Sequence, residues 1–489
     1  MTSRFPFTSF PRGWYVVGFS KDLAPGQLET VHYLGDDIVL FRTEAGEFAA
    51  VDKTCPHLGA HLGGGKVVGE CVRCPFHDWA FDARGKCVDV PYAPKIPPKA
   101  KVRAWPVLEQ DGLLMVFYGP SGEAPWTVPP LEQEGWTADR TIRWELRSHP
   151  QEVGENTVDC SHLGPVHHVT STEVLSVEQN DHVMRVVLHL VATGAAIDMP
   201  EEINDVELDV SLHGLGQIIS NTHVLNAGLR TRQRIHPTPI DGERIAIFAV
   251  ANTVEMADPE YTREIDEIFW NAFIEDFARD FPIWENKTYL ERPMLAGGDG
   301  PIGRYRRWAK QFYTAEETAV EPTARTQTAE AGLLDRLLRR VRGLTDSRAE
   351  EQEALDAHIT DPPTAKKRAI RARAKSAGAG SFPSVDAYFD SLETRFDPKA
   401  AGDLDAVFQW VLTGDTGCKR FARVKAGSVE LDEGTHGSPN ITIEMSAEDY
   451  LLMINGELNG ARAFSTGRGR LRGPVRLAMK MQKLFPLDR

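Results

Sequence analysis

Cys55-Pro56-His57 and, sixteen residues on, Cys74-Pro75-Phe76-His77 form the stretch whose reading decides the fold. Each hook offers one thiol and one imidazole. Two Cys and two His close a structural zinc site in many small domains. The same set also places both thiolates on one iron and both imidazoles on the other iron of a [2Fe–2S] cluster, where the imidazoles raise the reduction potential above that of an all-thiolate centre. Gly59, Gly63, Gly64 and Gly65 let the first hook turn tightly. Around the hooks the first 120 residues read as β-rich. Trp14-Tyr15-Val16-Val17, Ile38-Val39-Leu40-Phe41 and Leu114-Met115-Val116-Phe117 are short apolar runs punctuated by Gly, Pro and Asp. Cys71 and Cys87, close by, read as buried thiols.

Working outward, 489 residues suggest about three domains. The charge balance of 55 Lys+Arg against 70 Asp+Glu, net -15, argues against general nucleic-acid binding, which needs concentrated positive charge. Six Cys make no disulfide scaffold, so a reduced, cytoplasmic location is expected. The first fourteen residues lack the apolar region of a signal peptide, and no run of eighteen apolar residues offers a membrane span. The expected division is 1–125, 126–317, a partly helical linker over 318–380, and 381–489. The Pro-rich run 120–130 marks the first boundary. In the middle region 182–191 reads as a strand, and a long helix starts at Asp258-Pro259, a good N-cap followed by Pro at the first helical position. Tyr261, Ile265, Ile268, Phe269 and Phe273 recur along it at helical spacing. In the linker, 332–344 is amphipathic and is expected to pack on a neighbouring domain, with peripheral membrane contact as the alternative. Residues 381–489 read as a small α+β domain. Its expected elements are helices at 385–393 and 447–454, the second capped by Ser446 with Asp449, a strand at 441–445, and a last helix from Pro474.

A second constellation is Asn156-Thr157-Val158-Asp159-Cys160-Ser161-His162-Leu163-Gly164-Pro165-Val166-His167. Asn156, Asp159 and His162 recur every three residues and are expected near one face of a helix. His167 would point elsewhere on a regular helix, but Gly164-Pro165 breaks it and lets both imidazoles converge. Two His and one carboxylate make the facial triad of non-haem Fe(II) sites, with positions left for O₂. Either His alone would read as an ordinary polar residue. The carboxylate must come from elsewhere. Asp280, late on the long helix, is the candidate, with Asp276 one turn earlier as runner-up.

The cluster hooks resemble those of the Rieske family. Respiratory members carry an additional Cys in each hook, paired as a disulfide. Here Ala60 and Phe76 stand in those places, which points to the oxygenase or ferredoxin branch. The spacing Asp159-x-x-His162-x-x-x-x-His167 resembles the iron motif of Rieske non-haem iron oxygenases. That resemblance implies that Asp159 is not a ligand but joins a ligand His of its own subunit to a cluster His of the neighbouring one. It makes Asp159 and Asn156 the catalytic candidates beside the metal ligands Cys55, His57, Cys74, His77, His162, His167 and Asp280. The stretch 280–313, with Trp284-Glu285-Asn286-Lys287 and Arg304-Tyr305-Arg306-Arg307-Trp308, resembles steroid-hydroxylating members. In these the carboxylate lies four residues before the Trp, which implies Asp280. Pro282 is a mild departure from the pattern. The family implies an antiparallel helix-grip-like catalytic domain and a head-to-tail homotrimer. Gly298-Asp299-Gly300-Pro301 is no dinucleotide fingerprint. NAD(P)H is therefore expected to act only through a separate flavin and iron–sulfur reductase or a ferredoxin.

Residues 381–489 resemble the sterol carrier protein 2 family through Phe408-Gln409-Trp410-Val411-Leu412, the region 446–456, and Gly467-Arg468-Gly469-Arg470-Leu471-Arg472-Gly473. This implies a five-stranded sheet with helices around an apolar tunnel. Together the resemblances imply an α+β enzyme that uses O₂ to hydroxylate or desaturate a sterol or steroid, with the carrier domain raising local substrate concentration. The competing readings are oxidation of a fused-ring aromatic, and a lipid-binding redox protein without oxygenation.

Overall fold

The computed structural model describes residues 4–7, 9–194, 199–313 and 382–487. The expected linker helix over 332–344 lies outside them. Among the described residues no helix is long and apolar enough to cross a membrane.

The N-terminal part is built of three small antiparallel sheets. The first orders β1 (Gly13–Phe19), β10 (Leu113–Tyr118) and β9 (Val107–Gln110). The second is β2 (Leu28–Tyr33), β3 (Asp36–Arg42) and β4 (Phe48–Asp52), and the third runs from β5 (Lys66–Val68) through β6 (Cys71–Arg73) and β7 (Ala80–Asp82) to β8 (Cys87–Asp89). The first Cys-His hook follows β4 and the second joins β6 to β7, so both hang from paired strands. Their backbones close alike. Cys55 N–H donates to Ala60 O and Cys74 N–H to Trp79 O, both at 2.9 Å. The fifth residue of each turn, Gly59 at φ +79° and Asp78 at φ +59°, takes the left-handed conformation such a turn requires.

The middle part is a seven-stranded antiparallel sheet. Its strands are β11 (Arg140–Leu146), β12 (Val169–Asn180), β13 (Val183–Gly194), β14 (Met199–His213), β15 (Ile218–Val224), β16 (Leu229–Pro239) and β17 (Ile245–Thr253). They lie in the order β11-β17-β16-β15-β14-β13-β12. The short helices α1 (Pro150–Asn156) and α2 (Leu163–His167) are inserted between β11 and β12. The long helix α3 (Pro259–Phe277) starts as the sequence predicts. The Asp258 carboxylate accepts Glu260 N–H at 2.8 Å and Tyr261 N–H at 3.2 Å. A 3₁₀ turn, Ala278–Asp280, then leads into α4 (Phe281–Asn286). Pro282 falls in the first turn of α4, where its missing N–H costs no helical bond, so this departure from the family pattern is structurally neutral. α5 (Ile302–Ala309) packs against α1.

The C-terminal part opens with three short helices, α6 (Val385–Asp390), α7 (Leu392–Arg395) and α8 (Pro398–Ala401). The helix expected over 385–393 is thus two, parted at Ser391, whose hydroxyl donates to Tyr388 O at 2.6 Å. A five-stranded sheet follows, ordered β20 (Ser428–Glu433), β19 (Lys419–Lys425), β18 (Ala406–Thr413), β21 (Ile441–Ser446) and β22 (Gly469–Arg472), with β18 and β21 parallel. It carries α9 (Ala447–Ile454), capped by Ser446 Oγ from Asp449 N at 3.0 Å, α10 (Gly460–Ser465) and α11 (Val475–Leu484). This part docks on α3. Arg470 Nε stands 3.5 Å from Asp258 Oδ2, and the Tyr261 and Phe464 rings meet at 5.8 Å. Val475 N–H donates to the Glu264 carboxylate and Ser465 Oγ to Ala227 O. One apolar core runs unbroken across this junction.

Candidate metal centres

In the first centre the thiols lie inward and the imidazoles outward. Cys55 and Cys74 are 2% and 3% exposed, while the His57 and His77 rings stand 4.6 Å apart and are half-buried. His57 stacks on Trp79, whose indole N–H donates to Tyr92 Oη at 2.9 Å. The rim is apolar and exposed, with Leu58, Phe76 and Tyr92 each at least 60% accessible. Burial pushes the Cys55 thiol up to about 11, with the neighbouring Cys74 adding to it. Two adjacent buried thiols become thiolates at neutral pH only beside a compensating cation. His57 Nδ1 is buried and makes no hydrogen bond, leaving a ring nitrogen ready for a metal. The donor set therefore fits an iron–sulfur cluster. On the strands beside the hooks Cys87 is buried, as the sequence reading has it, whereas Cys71 is only half-buried.

The second centre is brought together from two elements. His162, His167 and Asp280 offer donor atoms that all lie within 4.8 Å of one another. The two rings are 5.1 Å apart and nearly perpendicular. His162 precedes α2, His167 ends it, and Asp280 closes the 3₁₀ turn after α3. His162 Nδ1 lies 2.6 Å from the backbone oxygen of Asp159, which makes Nδ1 the protonated nitrogen and leaves the Nε2 lone pair for a metal. Asn156 Nδ2 stands 3.2 Å from that Nε2. His167 is held between two carboxylates: Nε2 lies 3.4 Å from Asp280 Oδ2, and Nδ1 lies 3.0 Å from Asp276 Oδ2. Burial works to depress the His167 imidazolium, but the carboxylates of Asp276 and Asp280 outweigh it and push it up to about 9. A largely buried, anionic cradle of this kind fits a divalent cation, and it places the two carboxylates the sequence offered differently. Asp280, 4% exposed, is in the donor cluster; Asp276 backs the far side of His167.

Asp159 sits differently from the expected helix face. α1 stops at Asn156, and Thr157 Oγ1 turns back to Gly154 O at 2.7 Å. The Asp159 carboxylate then accepts Ser161 N–H and Ser161 Oγ at 3.1 and 3.0 Å, forming a turn. Its oxygen is 3.8 Å from His162 Nδ1, so the close contact between the two residues is made by the main chain. Burial disfavours the ionised carboxyl, but bonds from His162 and Ser161 hold it below the usual carboxylate range. Gly164 and Pro165 lie inside α2, so the break that aims the two imidazoles falls before α2 and not within it.

Sequence reasoning missed the charged frame under α1. Glu152, 1% exposed, pairs with Lys287, and Glu155, 7% exposed, receives Arg306 through Nη2 at 2.8 Å. Lys287 and Arg306 sat within the family-like stretch, but their acidic partners lie more than 130 residues earlier and carry no local signal. Beyond the triad opens a cavity of about 1350 Å³, walled in this part by inward side chains of the sheet such as Leu188, Leu190 and Val206 and by Phe269 and Phe273 of α3.

Three family models match the chain. The Rieske [2Fe-2S] domain covers residues 13–106, the 3-ketosteroid 9alpha-hydroxylase C-terminal domain covers 116–313, and the SCP-2 sterol transfer family covers 389–486. Among curated relatives, an oxygenase component of 3-ketosteroid-9-alpha-monooxygenase from Rhodococcus rhodochrous is 31% identical over 332 residues, spanning 65% of this chain and 84% of the relative. A cholesterol 7-desaturase from Hemicentrotus pulcherrimus is 30% identical over 346 residues, spanning 65% of this chain and 72% of the relative. The solved structure of dicamba monooxygenase bound to dicamba superposes with a TM-score of 0.52 at 20% identity, covering 62% of this chain and 98% of that one, which shows a shared fold. With its cluster hooks, its two-histidine, one-carboxylate centre and these matches, the chain belongs to the Rieske non-haem iron oxygenases, an oxidoreductase family using a [2Fe–2S] cluster and a mononuclear iron, and adds an SCP-2 domain to that core.

Proposed function

We propose that the protein is the oxygenase component of a system that oxidises a sterol or steroid with O₂, by hydroxylation or desaturation. The observation that carries this is the convergence of His162, His167 and Asp280 at one end of a large, mainly apolar cavity. In this reading Cys55, His57, Cys74 and His77 hold the cluster, and His162, His167 and Asp280 hold the iron. Bound there, the two groups supply one-electron delivery and O₂ activation against an unactivated C–H bond. The chain's own residues set the geometry. The Asp159 carbonyl fixes the tautomer and direction of His162, and the Asp276 carboxylate stands beside Nδ1 of His167. The apolar walls would exclude bulk water and hold the ring system beside His162, His167 and Asp280. Whether the product gains an oxygen or loses two hydrogens then depends on which C–H bonds the walls present.

Electrons come from NAD(P)H through a separate flavin and iron–sulfur reductase or a ferredoxin. That the Rhodococcus rhodochrous relatives are named oxygenase components supports this division of labour. We further infer a head-to-tail homotrimer in which Asp159, with a side chain 27% exposed, joins His162 to the neighbouring subunit's cluster. The division into 1–125, 126–317, 318–380 and 381–489 follows the same reading, as does a cytoplasmic location, which six free cysteines support.

The test is turnover by the iron-loaded protein with a ferredoxin–reductase pair, NADH and O₂, on sterols, 3-ketosteroids and fused-ring aromatics, with products read by mass spectrometry. One added oxygen or two lost hydrogens on a tetracycle is expected. Turnover confined to the aromatics would overturn the substrate reading. Reduction of the cluster with no product from any substrate, by protein carrying full mononuclear iron, would overturn the oxygenase reading.

A further inference from the structure

The cavity does not end at the wall of the catalytic part. Its floor is the inward face of the β15–β16 ladder, where the paired residues Ile218 and Ile235, Thr222 and Thr231, and Val224 and Leu229 succeed one another along the strands. The ladder ends at the turn whose Ala227 O accepts Ser465 Oγ from the C-terminal domain. Its roof is α3, with Tyr261, Ile265, Phe269 and Phe273 facing in and Asp276 at the iron end. Past Tyr261 the same cavity continues between Ile443, Ile454, Phe464, Val475 and Met479 of the C-terminal domain. Tyr261 and Asp276 are fifteen residues apart on one helix, about 22 Å along its axis. The volume of about 1350 Å³ exceeds the roughly 300–1,000 Å³ typical of a single small-molecule pocket.

The lining also has a chemical order. Of its charged residues, Asp276 and Asp280 stand at the iron end, and Asp397 and Lys483 lie in the C-terminal domain. The stretch between them is uncharged. Three of its polar residues, Thr222, Thr231 and Gln233, already bond one another, with Thr222 Oγ1 donating to Gln233 Oε1 at 3.2 Å and Gln233 Nε2 to Thr231 Oγ1 at 2.7 Å. Such a passage suits an uncharged, elongated, mostly apolar molecule.

Resting on the sterol or steroid reading above, we propose that the two domains share one lipid channel, and that the chain binds a single tailed sterol across it. The ring system lies toward His162, His167 and Asp280, and the alkyl tail lies among α9, α10 and α11. The carrier domain is then a wall of the active site, and a tailed sterol is preferred over a tailless steroid.

The experiment uses the full holoenzyme and dehydroergosterol, a fluorescent tailed sterol, with a tailless 3-ketosteroid as competitor. One dehydroergosterol per chain is expected, displaced competitively by the tailless steroid because the two ring systems claim the same end. Met479→Trp, which plugs the tail end, is expected to lower the ratio of tailed to tailless affinity more than tenfold, and near-isosteric Met479→Leu to restore it. The visible spectrum of the cluster and the melting temperature certify both variants as folded. Two sterols per chain, retention of dehydroergosterol when the tailless steroid saturates, or an unchanged ratio in Met479→Trp would each overturn the shared channel. Absence of turnover on either ligand sinks the oxidation reading alone, since the binding results decide the channel without it.

Discussion

Gly300 offers the sharpest test of how the iron loop is held. It lies in Gly298-Asp299-Gly300-Pro301, the segment whose sequence resembles no cofactor motif, and the structure shows a different use for it. The segment braces the loop between α1 and α2: Asp299 O accepts Cys160 N–H at 2.9 Å, and Val158 and Cys160 are 0% and 8% exposed. Gly300 has φ +91°, and a Cβ there would stand 2.2 Å from Val158 O and 2.9 Å from Cys160 Sγ. The backbone conformation costs a non-glycine residue about 1–3 kcal/mol. An overlap with a buried carbonyl, which cannot rotate away as a side chain can, adds about 1–3 kcal/mol more. Gly300→Ala should therefore destabilise this part by about 2–6 kcal/mol. At roughly 2–4 °C per kcal/mol for a domain of this size, the transition falls by roughly 4–24 °C. The displaced residues flank Asp159 and lead to His162, so the mononuclear iron should be lost first. The cluster hooks hang from other sheets, and their visible spectrum should persist. Metal analysis, the reduced-cluster EPR signal and a thermal scan on one preparation decide it. Full mononuclear iron with a melting temperature within a degree of the parent would refute the reasoning, because the close approach to Val158 would then be relaxed at no cost.

Asp280→Asn should abolish mononuclear iron while Asp276→Asn keeps it with activity lowered about 10–100-fold, the usual effect of removing a carboxylate behind a ligating His. Equal iron loss in both would remove the distinction. Arg306→Leu leaves Glu155, 7% exposed, without its guanidinium and should cost about 3–5 kcal/mol in denaturant unfolding; a change under 1 kcal/mol would mean that Glu155 is not held as a buried charge. His149 and His236 are fully buried and burial drives both imidazolium pKa values down to about 3. The unfolded chain binds their protons near pH 6.5, so stability is whole above that pH and falls by about 1.4 kcal/mol per pH unit per His down to about pH 3. Denaturation midpoints at pH 7.5 and 5 should show the loss, and equal stability at the two values would contradict it.

The parts legible in sequence are those fixed by short-range chemistry. The hooks were readable because two short Cys–His pairs with Pro inside each make a ligand set visible from local spacing alone, and the start of α3 because Asp258-Pro259 satisfies helix-end donors locally. The turn around Asp159 was not readable, since residues three apart fit a helix and a chain of side-chain-capped turns equally well; Thr157 and Asp159 bonding their own backbone settled it. Asp276 and Asp280 lie one helical turn apart and both reach His167, on opposite ring nitrogens; Asp280, at the end of the 3₁₀ turn over Ala278–Asp280, is the one that joins the donor cluster. The charged frame of Glu152, Glu155, Lys287 and Arg306 and the docking of the C-terminal domain are long-range, made by residues with no shared local pattern.

α3 joins these features physically. Its N-cap Asp258 serves twice, with Oδ1 accepting the first helical N–H groups and Oδ2 facing Arg470 of the carrier domain. Glu264, one turn beyond Glu260, receives the first N–H of α11, so two acidic groups on the opening turns fix the domain against the helix. At the other end the helix presents Asp276 to His167 and leads directly to Asp280. Nineteen residues of continuous helix span about 28 Å with little freedom to bend. The position of the carrier domain and the position of the iron carboxylate are thereby referred to one rigid element. A domain held only by a flexible linker would raise the local concentration of a substrate; one seated on this helix, in the shared channel proposed above, would also fix the direction from which the substrate reaches His162, His167 and Asp280.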